Sequence, residues 1–444
     1  MSGEPDEATP DDAAPRAPRG THDTAEALTR AYVLHPAVKT DRKRRLPEHG
    51  LAEAVSLAAA LPGLDVIGAQ IVRLSKVAPG LLFGTGKVEE IKALLKDEKI
   101  DLVLVDGTVG PVQQRNLEKE WGVKLLDRTG LILEIFADRA RTREGVLQVE
   151  LAALSYQRSR LVRAWTHLER QRGGFGFVGG PGETQIETDR RAIDDEVIKL
   201  KRQLAQVVKT RELHRASRRK VPFPIVALVG YTNAGKSTLF NRMTGAEVLA
   251  KDMLFATLDP TMRGVTLPSG RKGILSDTVG FISDLPTALV AAFRATLEEV
   301  LEADLIIHVR DISHPETAEQ AADVADILTS LGVSADTPQI EVWNKLDLVT
   351  PEARSALDAN LSNRANVYAI SALTGEGLPA LLDAISTAFE EAKSEAEVSL
   401  TFAQGRKHAW LHGEGVVISE AQDENGWHLH LRWTPRQEAR FLAL

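Results

Sequence analysis

The chain has 444 residues, a formal net charge of −8 and 43% hydrophobic residues, so it is long enough for two to four packed domains. It contains no cysteine, which excludes a disulfide framework and any metal site built on thiolates. No apolar run approaches the roughly 18 residues of a membrane helix, and the acidic N-terminus lacks the apolar core of a secretory signal. We therefore expect a cytoplasmic protein without a membrane span, and we take it to be a monomer in solution.

The first part of the chain predicts an acidic tail followed by a small N-terminal α/β domain. Residues 1–28 are rich in Pro, Ala and Asp with little periodicity, which is typical of a disordered tail. Within residues 29–138, strands are predicted at 65–72, 101–105 and 123–126, and helices at 51–61, 88–98 and 112–121. This alternation predicts a mostly parallel sheet. The turn at Gly84–Lys87 resembles half of a phosphate loop; it either opens a helix or contacts a nucleotide or RNA.

Residues 139–220 predict a long, basic, antiparallel helical hairpin. Apolar residues recur at three- and four-residue steps from Leu147 to Leu168 and again from Ile186 to Val207. The segment carries 19 Lys and Arg against 10 Asp and Glu, and its tip at 172–182 combines glycines with two phenylalanines. Such a tip either contacts RNA by stacking on bases or is a connector whose aromatic rings pack locally. The RNA-contact candidates are Arg172, Phe175, Phe177, Arg190 and Arg191.

The strongest motif begins at Gly230. The pattern GxxxxGK[ST] directly follows the apolar run 224–229 and consists of Gly230, Tyr231, Thr232, Asn233, Ala234, Gly235, Lys236 and Ser237. Backbone N–H groups of such a loop cradle phosphate oxygens at a helix N-terminus, Lys236 supplies a charge between the terminal phosphates, and the Ser237 hydroxyl can ligate Mg2+. The motif therefore predicts that the chain binds a nucleoside triphosphate.

Two segments further along predict a switch that senses the γ-phosphate. A DxxG motif, formed by Asp277, Thr278, Val279 and Gly280, ends an apolar strand. There Asp277 would hold Mg2+ through water, and the Gly280 N–H would contact the γ-phosphate. The other segment consists of Phe255, Ala256, Thr257, Leu258 and Asp259. We choose Thr257 over Thr261 as the second direct Mg2+ ligand, so Ser237 and Thr257 are the predicted metal ligands.

The residue after the DxxG motif is unusual for a nucleotide hydrolase of this kind. Many nucleotide hydrolases of this class have a glutamine there that orients the attacking water, whereas this chain has Phe281. A phenyl ring cannot position water by hydrogen bonding, so the candidate catalytic residues are Lys236, Thr257 and Gly280. We expect slow intrinsic hydrolysis that accelerates when a partner reorders the segments 255–261 and 277–284.

Two motifs in the domain at 221–391 predict which base is bound. The first is NKxD, in which Asn344, Lys345 and Asp347 follow a strand. The Asp347 carboxylate can accept hydrogen bonds from guanine N1–H and the exocyclic amine, which adenine cannot supply, so GTP is favoured over ATP. The second motif ends a later strand and completes the predicted GTP site with Ser371, Ala372 and Leu373. All motifs lie at strand ends, which predicts a phosphate-loop GTPase domain with a mostly parallel sheet.

Residues 392–444 predict a small C-terminal α+β module. The turn at Glu424–Gly426 indicates a hairpin between strands at 415–418 and 427–431. His428 and His430 would share one face of a strand, but two ligands do not make a metal site, so we interpret these histidines as structural.

The motifs together resemble the HflX family of GTPases. The resemblance rests on GYTNAGKS at 230–237, FATLD at 255–259, DTVG at 277–280 and, most specifically, GGPGETQIETDRR at 179–191. It covers about residues 31–390. The acidic tail has no obvious family role, and the C-terminal module matches loosely.

The resemblance implies a GTPase that binds the large (50S) ribosomal subunit and splits stalled or idle ribosomes or prevents their association, often under heat or antibiotic stress, with GTP hydrolysis releasing the factor. It also implies contact with 23S ribosomal RNA, with the hairpin tip near the peptidyl-transferase centre. GTP is the expected substrate and Mg2+ the expected cofactor. Two alternatives remain open, a GTPase that acts in ribosomal subunit assembly and an ATP-dependent remodeller of ribosomal RNA.

Overall fold

The computed structural model describes residues 28–39, 46–171, 181–218, 223–246, 254–255, 257, 261–283, 299–334, 336–362, 364–389, 394–442 and 444. The strands are β1 Thr29–Val38, β2 Leu64–Leu74, β3 Leu102–Val105, β4 Lys124–Asp127, β5 Ile225–Gly230, β6 Thr261–Thr266, β7 Lys272–Asp277, β8 Leu305–Asp311, β9 Gln339–Asn344, β10 Val367–Ala369, β11 Ser394–Leu400, β12 Val417–Asp423 and β13 Gly426–Trp433. The helices are α1 Pro47–Ala59, α2 Thr85–Asp97, α3 Pro111–Trp121, α4 Arg128–Arg139, α5 Arg143–Gln171, α6 Pro181–Arg218, α7 Lys236–Thr244, α8 Thr317–Leu331, α9 Pro351–Leu361, α10 Leu378–Ala388, α11 Gly405–Gly413 and α12 Pro435–Leu442. The predicted tail at 1–28 lies outside the described residues except for Leu28.

The N-terminal domain is built on a four-stranded sheet in the order β2-β1-β3-β4, in which every pairing is parallel. The three predicted strands are β2, β3 and β4, and the predicted parallel sheet is confirmed. Strand β1 was not among the predicted strands. It lies inside the sheet and contains Pro36, a residue that central strands rarely contain because proline has no N–H to donate to a neighbouring strand. The pairing of β1 with β3 covers only residues 31–34, so at Pro36 the strand is paired with β2 alone.

Helices α5 and α6 form the predicted hairpin. Arg158 and Asp194 make an ion pair of 3.0 Å across it. Arg158 lies 13 residues before the end of α5 and Asp194 lies 13 residues after the start of α6, so the two helices run antiparallel. The hairpin is fastened to the N-terminal sheet near the middle of α5, where Arg160 pairs with the buried Asp127 at 2.6 Å. Most of the predicted tip, residues 172–180, lies outside the described part of the chain.

The domain that holds the phosphate-loop motif contains a six-stranded sheet in the order β10-β9-β8-β5-β7-β6. All neighbours are parallel except the edge strand β6, which runs antiparallel to β7. Strand β5 is central and its residues 226–229 are buried, which explains why they read as a continuous apolar run. The carboxyl ends of β5, β7 and β9 lie at one edge of the sheet, so their motifs meet there.

The C-terminal module is an antiparallel sheet in the order β11-β13-β12, with α11 and α12 packed around a core that includes Leu411 and Leu431. The predicted hairpin turn is present, since the N–H groups of Asn425 and Gly426 both donate to Asp423 Oδ1. The strand predicted at 415–418 is shifted, because Gly415 adopts φ +66° in the connection after α11 and β12 begins only at Val417. No helix among the described residues is long and apolar enough to cross a membrane.

Candidate functional site

The phosphate-loop motif adopts a strand, turn and helix arrangement. Strand β5 ends at Gly230 and α7 begins at Lys236. Gly230 has φ +151° and a Cβ there would collide with the Val309 carbonyl oxygen, while Gly235 has φ +92° and a Cβ would collide with the Asn344 side chain. The chain therefore needs glycine at both positions, and the resulting turn presents backbone N–H groups at the N-terminus of a helix, where anions are favoured.

Lys236 is held inside this turn. It is 6% exposed, and its Nζ donates to the carbonyl oxygens of Gly230 at 3.1 Å and Tyr231 at 2.8 Å. Burial lowers the pKa of Lys236 to about 8, although the negative charge of Asp277 acts in the opposite direction. A polyanion over the loop would stabilise the charged ammonium, so this lysine is poised to respond to phosphate.

Three oxygen-bearing side chains converge next to Lys236. Ser237 Oγ and Thr257 Oγ1 donate to the same carboxylate oxygen, Asp277 Oδ2, at 2.7 and 2.8 Å, and the two hydroxyl oxygens are 2.9 Å apart. Burial raises the pKa of Asp277 against the opposing effects of Lys236 and the two hydroxyls. The other oxygen, Oδ1, is buried with no hydrogen-bond partner among the described residues. Hard oxygen donors of this kind suit Mg2+, so the residues fit the predicted metal site.

The segment after Asp277 lies against the phosphate loop. Thr232 N–H donates to the Phe281 carbonyl at 2.7 Å, and Phe281 N–H donates to the Gly230 carbonyl at 3.1 Å. Gly280 is so close that a Cβ there would lie 3.0 Å from Lys236 Nζ. The Phe281 ring is 2% exposed and belongs to the core. The side chain that replaces the usual glutamine therefore has a packing role, and only its backbone faces the loop.

The motifs predicted to bind guanine lie beside the phosphate loop. Asn344 Nδ2 donates to the Ala234 carbonyl at 2.8 Å and its Oδ1 accepts from Ala372 N–H at 2.9 Å, so it ties three motifs together. Asp347 is exposed, and its carboxylate accepts a hydrogen bond from the buried Ser371 hydroxyl. Lys345 pairs with Asp311 at 2.8 Å. The exposed Asp347 carboxylate can accept hydrogen bonds from a base that presents two adjacent donors, and the hydrogen bonds of Asn344 fix the segments around it.

The remaining predicted residues are distributed as follows. Thr278 is buried and donates to the Leu228 carbonyl at 2.6 Å, Val279 is buried, and Leu373 is 68% exposed. The residues Ala256, Leu258, Asp259, Arg172, Phe175 and Phe177 lie outside the described residues. Arg190 and Arg191 are exposed on α6, where each pairs with a carboxylate one helical turn away, Asp194 and Glu187 respectively.

A polar network links the phosphate loop to the N-terminal domain, and no motif or periodicity in the chain predicts it. Tyr231 Oη donates to Glu53, and the Ser283 N–H donates to Tyr231 Oη at 2.8 Å. Arg128, which is 8% exposed, donates to the Ser283 carbonyl at 3.0 Å and forms ion pairs with Glu53 and Asp106. These side chains are far apart in sequence, and only domain docking brings them together.

The segment that carries Thr257 also contacts the N-terminal part of the chain. Arg139, at the end of α4, donates to the carbonyl oxygens of Leu254, at 2.7 Å, and Phe255, and also to Ala60 at 2.8 Å. The Phe255 ring packs edge-on against Phe136 with centroids 4.7 Å apart. Both candidate switch segments are therefore held by residues on or next to α4, the helix that precedes the hairpin.

Four family models match the chain in succession. They are described as GTP-binding GTPase N-terminal, at residues 48–137, GTP-binding GTPase Middle Region, at 139–218, 50S ribosome-binding GTPase, at 225–345, and HflX C-terminal domain, at 356–442. The last of these matches begins before the C-terminal sheet and includes α10.

Similarity to individual proteins extends over most of the chain. It is 50% identical over 405 residues to GTPase HflX of Magnetococcus marinus, which covers 91% of this chain and 92% of that protein. It is 43% identical over 359 residues to GTPase HflX of Escherichia coli K12, which covers 80% and 84%. A solved structure described as the SsGBP and GDP complex is similar with a TM-score of 0.48 and 27% identity, covering 81% of this chain and 98% of that one.

Proposed function

The chain belongs to the HflX family of GTPases, and we propose that it binds the large (50S) ribosomal subunit, splits stalled or idle ribosomes, and is released when GTP is hydrolysed. The observation that carries the proposal is that both candidate switch segments contact helix α4 between the N-terminal sheet and the hairpin, through Arg128 for one segment and through Phe136 and Arg139 for the other. A factor that reshapes a ribosome needs such a link between its nucleotide and its ribosome-binding surface. We propose that it acts in the cytoplasm as a monomer.

The residues of the phosphate loop and the switch segments support the following roles in GTP hydrolysis. Lys236 and the N–H groups of its loop hold the terminal phosphates, and the Gly280 N–H contacts the γ-phosphate. Ser237 and Thr257 would hold Mg2+ directly and Asp277 would hold it through water, and the ion would supply neutralisation of the charge on the phosphates. Because Lys236 and Asp277 are already buried, the loop needs little further ordering to stabilise the transition state.

The base site supports selection of guanine. Asp347 would accept hydrogen bonds from guanine N1–H and its exocyclic amine, and the backbone of Ser371–Leu373 would contact O6. Asn344 keeps these two segments in register with the phosphate loop through its two hydrogen bonds. Adenine would leave the Asp347 carboxylate without its donors, and this loss is the physical basis of the preference.

Loss of the γ-phosphate provides the switch. When GTP is cleaved, Thr257 and Gly280 lose the group that orders them, and the segments on either side of them relax. One of these segments carries the Leu254 and Phe255 carbonyls bonded to Arg139, and the other carries Ser283 bonded to Arg128. We propose that this change alters how the N-terminal domain and hairpin are held, which lowers affinity for the ribosome.

The hairpin is the proposed contact with 23S ribosomal RNA, with its tip directed to the peptidyl-transferase centre. We propose that residues 29–138 and 139–220 form the ribosome-binding part, 221–391 the GTPase domain and 392–444 an accessory module. The excess of Lys and Arg between residues 139 and 220 supports this assignment. Arg190 and Arg191 are exposed on α6, so phosphate contacts there would exchange weak surface ion pairs for stronger charge neutralisation.

Hydrolysis kinetics test the ribosome dependence of the enzyme. Since Phe281 cannot orient water, single-turnover GTP cleavage should be slow for the protein alone and faster by about tenfold or more with purified 50S subunits. Isolated 30S subunits serve as the control and should have no effect. Equal rates with and without 50S subunits would contradict the proposal. An assembly role would instead predict stimulation by incomplete large subunits but not by mature ones.

A further inference from the structure

Three side chains with metal-ligand chemistry meet in the C-terminal module, on a different sheet from the nucleotide pocket. His408 and His412 lie one turn apart on α11, and Glu420 lies on β12. His408 Nε2 is 3.0 Å from Glu420 Oε1, and His412 Nε2 is 2.8 Å from Glu420 Oε2. One ligand atom from each of the three residues lies within 4.8 Å of the other two. The sequence contains the HxxxH spacing, but its meaning depends on the helix and on a strand that follows it.

We propose that His408, His412 and Glu420 form a binding site for a divalent transition-metal ion, with Zn2+ as the best match. Two imidazole nitrogens and one carboxylate are a donor set that Zn2+ accepts, whereas Mg2+ and Ca2+ prefer oxygen ligands. Histidines at i and i+4 project from the same face of a helix, which lets both reach one ion. Because the protein supplies three ligands, a fourth position remains open to water or to a partner's side chain.

The imidazole of His408 is oriented before any ion binds. Its ring stacks on the indole of Trp427 with centroids 4.2 Å apart and an interplanar angle of 20°. Its side chain is 22% exposed, compared with 47% for His412 and 27% for Glu420. An ion can therefore enter from solvent, while the less exposed ligand is fixed by a ring from the neighbouring strand β13. This preorganisation reduces the ordering cost of binding.

Lys407, the neighbour of His408 in sequence, and Arg440 on α12 have partners outside the cluster. Lys407 Nζ lies 5.1 Å from the centre of the Phe441 ring, and Arg440 pairs with Glu414 at 3.3 Å. Neither ammonium nor guanidinium group is therefore engaged with Glu420, whose carboxylate contacts both histidines.

The same module offers a matched control. His428 pairs with Asp423 at 3.0 Å, and His430 approaches Glu395 at 3.4 Å. Each of these is a contact between one histidine and one carboxylate, and in the described residues neither forms a group of three ligands. A bound ion at His408, His412 and Glu420 would join α11 to β12 across their short connection, so Zn2+ should raise the thermal stability of the module by mass action.

The test is calorimetric titration of the full-length, chelator-treated protein with Zn2+, in excess Mg2+ and GDP so that the nucleotide pocket is filled. We expect one Zn2+ per chain, affinity weaker by about tenfold or more for His412→Ala, and no change for His428→Ala. His412 is half-exposed, and circular dichroism will show whether the variant remains folded. Equal affinity of wild type and His412→Ala, or equal losses in both variants, would overturn the proposal.

X-ray absorption of the Zn2+-loaded wild-type protein gives a second readout that does not depend on any variant. A nitrogen and oxygen shell at about 2.0–2.1 Å with scattering from two imidazoles is expected. A shell of oxygen ligands without imidazole scattering would place the ion elsewhere and refute the site.

Discussion

Replacing Arg128 with methionine would remove a guanidinium that neutralises two buried carboxylates. Arg128 is 8% exposed, and its partners Glu53 and Asp106 are 14% and 7% exposed. Methionine fills similar space but leaves both carboxylates without this counterion and removes the bond to the Ser283 carbonyl. Breaking a buried ion pair by removing one partner costs about 3–5 kcal/mol. In a chain of this size, where 1 kcal/mol corresponds to about 1 °C, that loss should lower the melting temperature by about 3–5 °C.

Thermal unfolding followed by circular dichroism measures this loss, and Arg354→Met is the matched control. Arg354 pairs with Glu376 on the surface, with exposed fractions of 41% and 45%, so its removal should have no measurable effect. Equal melting temperatures of the two variants would contradict the expected loss, because the buried network would then contribute no more to thermal stability than a surface ion pair.

The pH dependence of the Arg128→Met effect provides an independent check. Burial acts to raise the pKa of Asp106, but the His35 hydrogen bond and Arg128 hold it below its usual value. The stabilisation from this carboxylate in the wild-type protein is therefore present above its unfolded pKa and is lost as pH falls through the folded value. Without Arg128 the buried Asp106 carboxylate protonates more readily, so the stability difference between wild type and Arg128→Met should narrow as pH falls toward the unfolded pKa of Asp106, about 4.

Three further predictions concern the nucleotide pocket. Asp347→Asn should weaken GTP binding by roughly 30-fold or more and improve binding of xanthine nucleotides, because the amide donates where the carboxylate accepts. Competition against a fluorescent nucleotide measures both affinities. An unchanged base preference would contradict the assignment of Asp347 to guanine recognition. Asp277→Asn should raise the Mg2+ concentration for half-maximal hydrolysis by about tenfold or more, and an unchanged Mg2+ dependence would place the ion elsewhere. Burial lowers the pKa of Lys236 to about 8, so the protein should take up a proton when it binds nucleotide at pH 8.5. Calorimetry in buffers of different ionisation enthalpy would detect this uptake. Zero uptake would mean that bound phosphate does not restore the positive charge of Lys236.

The features predicted correctly from sequence are those encoded within short segments. Strand β5 is a buried apolar run that stops at a glycine, and the residues after it have the spacing of a phosphate loop. The motifs at 277–280 and 344–347 likewise begin at the last residues of strands β7 and β9. Parallel strands share a carboxyl edge, so local patterns suffice to place these residues in one pocket. The hairpin was also predictable, because its apolar periodicity lies along single helices.

The features that sequence did not predict depend on how segments dock. Phe281 was predictable as a missing water-positioning group, but its burial in a core shared with the N-terminal domain depends on tertiary packing. Tyr231 reads as one variable position of a motif, yet it bonds to Glu53, which is 178 residues away. Likewise, His408 and His412 gain a common partner only when β12 folds back beside α11. Such contacts have no period or spacing that a single sequence can show.

Sedimentation of intact ribosomes incubated with the protein and either GTP or a non-hydrolysable analogue tests directly whether the protein splits ribosomes. A splitting factor should convert ribosomes to subunits with both nucleotides, and the protein should remain on the 50S subunit with the analogue and leave it after GTP cleavage. Asp347→Asn with GTP should leave the ribosomes intact, which shows that splitting requires bound nucleotide. Ribosomes that stay whole with wild-type protein under both conditions would contradict the account.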